Sequence, residues 1–256
     1  MSTQPDRVPD PHTLPELRAA CGIAQLGRQV IVHGKDLHHE CLDLSYVQYL
    51  LFCATKRAFD STQARVLERL WISTGYPDAR IWCNRIAGYL GAARVDPGLA
   101  MSAAIAASDS TTYGFRAMAQ AYEVQSTIPE ELSEREAWLS AALAAGRILH
   151  GYGRVFTNRD ERIPAALKIL ADAGLRAGPA LRRAFWLHRE LGRLKGIEMN
   201  ISALWAAIAI DFGIGALEYQ SFMLLMFAPG YVAVYNDQRS RKPFSFLAGH
   251  QSLPSD

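Results

Sequence analysis

Apolar residues along this chain recur mostly at intervals of three and four, the spacing that lines one face of an α-helix. Val47, Leu50, Leu51 and Ala54 follow it, as do Val66, Leu67, Leu70 and Trp71. The same spacing predicts helices over 98–107, 130–149, 162–173, 179–195, 203–212 and 219–237. Strand-like alternation is scarce: one short strand is expected at 30–33, with Gly34 turning the chain. Ser61 stands where an N-cap would open a helix. The segment 158–164 reads as another cap, with Pro164 in the first turn. Gly174 and Gly213 mark C-terminal stops. The pattern predicts an all-α protein with short connections. The run 203–210 is apolar on every side, so it should be covered all round, in the core or at a subunit interface. The Ala-rich stretches 101–107 and 141–145 permit close helix–helix approach. No internal repeat or low-complexity run occurs.

Composition narrows this picture. Half of the 256 residues are hydrophobic, enough for a substantial core in one large domain or two unequal ones. A net charge of +2, with 27 basic residues scattered along the chain, does not describe a nucleic-acid surface. Cys21, Cys41, Cys53 and Cys83 show no metal-type spacing and read as reduced core residues. The start, 1–15, is polar and proline-rich, a loose arm rather than an export signal. No apolar run approaches the roughly 20 residues that cross a bilayer, so a soluble cytoplasmic protein without a membrane partner is expected.

Several familiar chemistries lack their motifs. There is no phosphate loop, no G-x-S-x-G elbow and no GxGxxG turn. His38, His39 and Glu40 are metal-type residues, but neighbours on a helix point to different faces, so a surface role is expected and no metal. His188, beside Arg189 and Glu190, reads as a solvated helix residue.

One stretch carries a resemblance. Residues 151–162 read Gly-Tyr-Gly-Arg-Val-Phe-Thr-Asn-Arg-Asp-Glu-Arg. They resemble the signature loop of citrate synthase and citryl-CoA lyase, a Gly-aromatic-Gly-His, an Arg-Val-aromatic run and an Asp-Pro-Arg. Further matches follow in family order from about residue 25 to 245. His33–Leu37 and Leu44–Leu51 resemble an early Arg-Gly-Tyr-Asp element and its following helix. Met199–Ser202 resembles the element that normally reads Asn-Val-Asp; Pro229–Ala233 resembles the late Pro-Gly helix, and Arg241-Lys242-Pro243 the basic ending. The length suits the compact branch of citryl-CoA lyase size.

The resemblance implies an all-α fold of two domains with the active site in the cleft between them. Residues 1–117 and 204–256 would form the larger, dimerising domain and 118–203 the smaller. It also implies a homodimer that makes or breaks a carbon–carbon bond beside a CoA thioester, with that thioester a co-substrate and no permanently bound cofactor. In the family an aspartate removes a proton, two histidines stabilise oxygens and arginines hold carboxylates.

All three of those acid–base residues are replaced here. Ser202 occupies the aspartate position, and a serine hydroxyl is a poor base, so a helix-capping role is the competing reading. Tyr113 is the closest counterpart of the first histidine, able to donate to an enolate oxygen or simply a buried tyrosine. The second histidine aligns with Gly153 or with Arg154, depending on which half of the loop is matched, and His150 could reach the same space. A further family histidine corresponds to the stretch Ser73-Thr74-Gly75, and one carboxylate-gripping arginine to Phe227.

Other positions survive. Arg162 matches the arginine of Asp-Pro-Arg and would bind a substrate carboxylate, with Arg241 as a second candidate. Asp160 would anchor the loop, and Asp109 is a candidate replacement base. Gly151, Tyr152, Gly153 and Arg159 would meet CoA, the glycines by letting backbone amides approach it. The expected function is a diverged citrate-synthase-like lyase or transferase of altered chemistry, not a standard citrate synthase. The alternative is an inactive homologue, a pseudoenzyme that binds ligand or pairs with an active relative. An unrelated helical bundle is the third reading.

Overall fold

A computed structural model describes residues 20–155 and 157–243. The chain divides into two compact units, Met1–Ser61 and Thr62–Asp256. The expected loose arm at 1–15 lies outside the described residues.

In the first unit, β1 (Gly22–Gln25), β2 (Gln29–Val32) and β3 (Lys35–Asp36) form an antiparallel sheet in chain order. Ile23 pairs with Ile31 and Ile31 with Asp36, so the single expected strand is the middle one of three. The short α1 (Leu37–Glu40) follows, opened by the Asp36 carboxylate, which accepts from the His38 and His39 amides. His38, His39 and Glu40 are all exposed. In α2 (Tyr46–Thr55), Ser45 and Gln48 cap each other reciprocally, the pairing that ties down two orphan amides of a first turn. Cys21 is exposed rather than in a core, because it sits on the turn entering β1.

The second unit is helical throughout. It comprises α3 (Ser61–Thr74), α4 (Trp82–Ala92), α5 (Pro97–Ala107), α6 (Phe115–Thr127), α7 (Leu132–Ala144) and α8 (Arg162–Asp172). After these come α9 (Pro179–Lys195), α10 (Ile201–Asp211), α11 (Ala216–Met223) and α12 (Ala228–Ser240). The all-α reading holds. Among the described residues no helix is long and apolar enough to cross a membrane.

Several expected boundaries moved. Ser61 is the first residue inside α3 rather than its cap. The 130–149 helix is shorter, because Gly146 takes a left-handed φ of 65° and ends α7. The 219–237 helix is two helices, α11 and α12. Pro229 has no amide hydrogen and its ring would clash with the carbonyl four residues back, so the chain restarts at Ala228 with Pro229 in the new first turn. Gly174 and Gly213, with φ of 67° and 70°, do stop α8 and α10.

α10 sits at the centre, with Ala203 to Ala209 all buried. Around it α6, α8 and α9 pack directly, while α4 packs against both α5 and α12. A cluster of Val124, Ile128, Leu139, Trp186, Leu187 and Leu191 joins α6, α7 and α9. Asp211, at the end of α10, accepts from the Ala180 and Leu181 amides and so caps α9. Arg94 donates to the carbonyls of Arg239 and Arg241, which fixes the end of α12.

Candidate active site

The loop between α5 and α6 places Tyr113. It folds back sharply: the Phe115 amide donates to the Ser108 carbonyl at 2.8 Å, and Asp109 pairs with Gly114 as an isolated bridge. Gly114 has a φ of 100°, and a Cβ there would lie 2.1 Å from the Ser108 oxygen, so only glycine fits. The base of the turn is fixed by the buried Ser108 hydroxyl, which hydrogen-bonds the hydroxyl of buried Tyr231 on α12.

Tyr113 stands in a row of aromatic rings. Trp82 meets it edge-on at 5.1 Å, and Phe227 stacks against it at 6.1 Å with an interplanar angle of 27°. Phe115 continues the row, 5.3 Å from Phe227. The Trp82 indole is held by a 2.8 Å bond from Nε1 to the Ala107 carbonyl. Burial, reinforced by Tyr76 and Cys83 and opposed by the positive charges of Arg162 and Arg154, pushes the Tyr113 phenol up to about 12. It is therefore a protonated donor at neutral pH, and its hydroxyl has no hydrogen-bond partner among the described residues.

Arg162 opens α8 and is held rigidly. Its Nε and Nη2 donate to the two carboxylate oxygens of Asp160 at 2.8 and 2.7 Å. That carboxylate, wholly buried, also accepts from the Arg162 amide and from the Ile201 amide of α10. Asp160 thus ties the loop to two helix starts. Burial pushes its carboxyl upward, but the Arg162 guanidinium and the two amides outweigh this and hold it below the usual carboxylate range. Nη1 of Arg162 has no hydrogen-bond partner among the described residues.

The remaining candidates are placed differently. Arg154 donates to the Arg159 carbonyl and to Glu161, so its charge is largely spent within the loop. Arg159 is exposed, and Arg241 pairs with Asp237 on the surface of α12. Asp109 is exposed and bidentate to Arg116, whose guanidinium holds its carboxyl below the ordinary value. A carboxylate so held is a weaker base. His150 is half-buried at the entry to the loop. Phe227 is buried, so an apolar wall stands where the resemblance puts a carboxylate clamp.

The glycine loop is not an open amide cradle. The Tyr152 amide donates to Leu149 and the Gly153 amide to Glu198, while Asn200 binds the carbonyls of both Gly151 and Gly153. Of the amides expected to meet a phosphate, that of Gly153 is thus spent on Glu198 and that of Tyr152 on Leu149. Gly151 has a φ of 94°, and a Cβ on it would come within 2.7 Å of Ala203, so its role is close contact with α10. The Tyr152 side chain turns inward, accepting from Gln125 and donating to the Ala184 carbonyl, so it braces α6 against α9 rather than facing a ligand. Ser202 is the second residue of α10; the cap is Asn200, whose side chain accepts from the Ser202 amide at 2.9 Å. His188 is half-buried rather than solvated, since its Nδ1 accepts from the Met199 amide at 3.0 Å.

The fold can be set beside solved structures. Citryl-CoA lyase from Hydrogenobacter thermophilus superposes with a TM-score of 0.78, covering 94% of this chain and 95% of that one at 18% identity. The chain has the citrate-synthase fold. ATP citrate lyase from Methanosaeta concilii, solved with (3S)-citryl-CoA, gives a TM-score of 0.72 at 13% identity over 94% of this chain and 42% of its own. Citrate synthase from Thermotoga maritima gives 0.61 at 18% identity over 76% and 54%. The chain thus spans nearly all of the lyase but about half of the two larger proteins. No protein-family model matches the sequence, and no curated protein does.

Within this fold, Trp82 packs against Tyr113 and Tyr76 acts on its phenol, two neighbours that the sequence reading did not name. Neither lies in a matched motif, and only the folded chain brings them to Tyr113.

Proposed function

We propose that this protein is a citrate-synthase-fold enzyme that makes or breaks a carbon–carbon bond beside a CoA thioester, with Tyr113 in place of the usual oxygen-stabilising histidine. The observation that carries the reading is an unengaged, protonated phenol lying within the field of Arg162, whose guanidinium Asp160 holds rigidly. A phenol donating to a developing enolate oxygen can supply the stabilisation an oxyanion site needs. Arg162 would hold the substrate carboxylate through its unspent Nη1 edge.

CoA thioester is the co-substrate in this reading, and no cofactor stays bound. The site would lie where residues 118–203 meet the rest of the fold: Arg154 and Arg162 come from that stretch, and Trp82, Tyr113 and Phe227 from outside it. The apolar cluster of α6, α7 and α9 falls entirely within 118–203, which supports treating it as the smaller domain. A homodimer belongs to this reading. The four free cysteines suit the cytoplasm.

Thermal unfolding with CoA, acetyl-CoA and a panel of acyl-CoAs tests the reading. Ligand at about 100 times its dissociation constant should stabilise by roughly 2.7 kcal/mol. Absence of any shift would favour the inactive-homologue reading. That second reading has its own support: Asp160 is committed to Arg162 and Asp109 to Arg116, so neither candidate carboxylate is a free base.

A further inference from the structure

We infer that neutral His188 latches the segment 198–201 in place, and with it the Arg162 clamp, and that protonating its imidazole releases the latch. In the isolated bridge between Tyr152 and Met199, the Gly153 amide donates to the Glu198 carbonyl at 2.7 Å and the Asn200 amide to the Gly151 carbonyl at 2.9 Å. Those bonds flank Met199, so its own amide points away from the glycine loop, as in any non-hydrogen-bonded pair of an antiparallel ladder. There it meets His188 of α9, whose Nδ1 accepts from it at 3.0 Å. Met199 is buried, and a buried amide left without an acceptor is costly. Two residues on, the Ile201 amide donates at 2.9 Å to Asp160, the carboxylate that grips Arg162. His188 is thus a positioning residue: it holds one edge of a strip whose other edge holds the glycine loop and whose end holds Asp160.

An imidazole nitrogen accepts only while it carries no proton. The bond to Met199 therefore needs the neutral ring with its hydrogen on Nε2. A second proton sets an N–H against the Met199 N–H, and attraction becomes repulsion. The Phe185 ring stands edge-on to the imidazole at 6.3 Å. The Tyr152 hydroxyl donates to the Ala184 carbonyl, one turn before His188, and burial pushes that phenol up, so it stays neutral. On α9 itself Glu190 is spent on Arg193, while Arg189 and Lys195 are exposed. Of the helices packed on α9, α10 brings Asp211 to its far end, α7 lays Arg135 over Trp186, and Glu123 of α6 is exposed. Glu198 sits in the latched strip, and His150, half-buried on the glycine-loop side, is a second imidazole that can charge.

Amide hydrogen exchange of the full-length protein at about pH 8 and about pH 5, either side of the ordinary histidine value, tests the latch. Corrected for intrinsic rates, protection of the Met199 and Ile201 amides should fall at least about tenfold at the acid pH. His188→Asn, whose side-chain oxygen accepts at either pH, should keep that protection, and His188→Leu should lack it at both. Protection that stays flat in the wild type would overturn the inference. So would an equal fall in a folded His188→Asn protein, which would hand the effect to His150 or Glu198. If the variants fail to fold, nitrogen NMR of the wild-type imidazole decides: a bare Nδ1 with the proton on Nε2 is expected at the higher pH, and the opposite tautomer overturns the latch. The consequence for catalysis rests on the proposed function, but exchange needs no substrate. A protein that binds no acyl-CoA yet shows the pH-dependent protection loses the proposed function and keeps the latch; acyl-CoA binding with flat protection does the opposite.

Discussion

Asp160 grips Arg162 through two parallel hydrogen bonds, and with the same carboxylate it accepts the amide of Ile201, forty-one positions along the chain. One buried charge therefore fixes the guanidinium and joins the start of α8 to the start of α10. Asp160→Asn should cost about 3–5 kcal/mol, the penalty for leaving one member of a buried pair uncompensated. Urea denaturation would measure it, and a loss within error would show that the pair is not structural.

The pH dependence has a definite sign. The Asp160 carboxyl is held below its ordinary range in the fold, so its stabilisation is present above the unfolded value near 4 and is lost as pH falls through the lower folded value. Wild type should lose stability steeply on that acid side. Asp160→Asn should show a flatter acid limb in denaturation midpoints collected from neutral to acid pH.

Tyr113→Phe separates chemistry from folding. Its hydroxyl has no hydrogen-bond partner among the described residues, so the melting temperature should barely move. Turnover of any acyl-CoA substrate should fall by about 10²–10³, as for removal of one oxyanion donor. Equal turnover in the two proteins would remove Tyr113 from the reaction.

Asp109→Asn should leave both stability and ligand affinity unchanged within error, because its carboxylate is exposed and paired on the surface with Arg116. A collapse of turnover with ligand binding intact would instead restore Asp109 as the base.

The two loop glycines should differ sharply. Gly151→Ala forces a Cβ into Ala203 at a positive φ, whereas Gly153→Ala meets only Ile197 at 3.6 Å. Backbone strain of about 1–3 kcal/mol applies to both, and the collision adds to it only at 151. Chemical denaturation of the two variants should rank them in that order.

Local signals made the helices legible. Their amphipathic spacing, the Ser45–Gln48 cap and the glycines at 174 and 213 act between residues a few positions apart, so the sequence alone carries them. The all-round apolarity of 203–210 likewise announced a helix covered on every side. The motif order along the chain pointed to the fold that the solved structures share. The site was legible only in part. The sequence named Tyr113, Asp160 and Arg162 as candidates, but not the contacts that hold them. Only the folded chain spends the Gly153 amide on the Glu198 carbonyl, turns Tyr152 into the core, and sets Trp82 and Phe227 beside Tyr113. Those contacts join residues from about 30 to more than 100 positions apart, and no local periodicity encodes which distant partner a polar group finds when α6, α9 and α10 pack together.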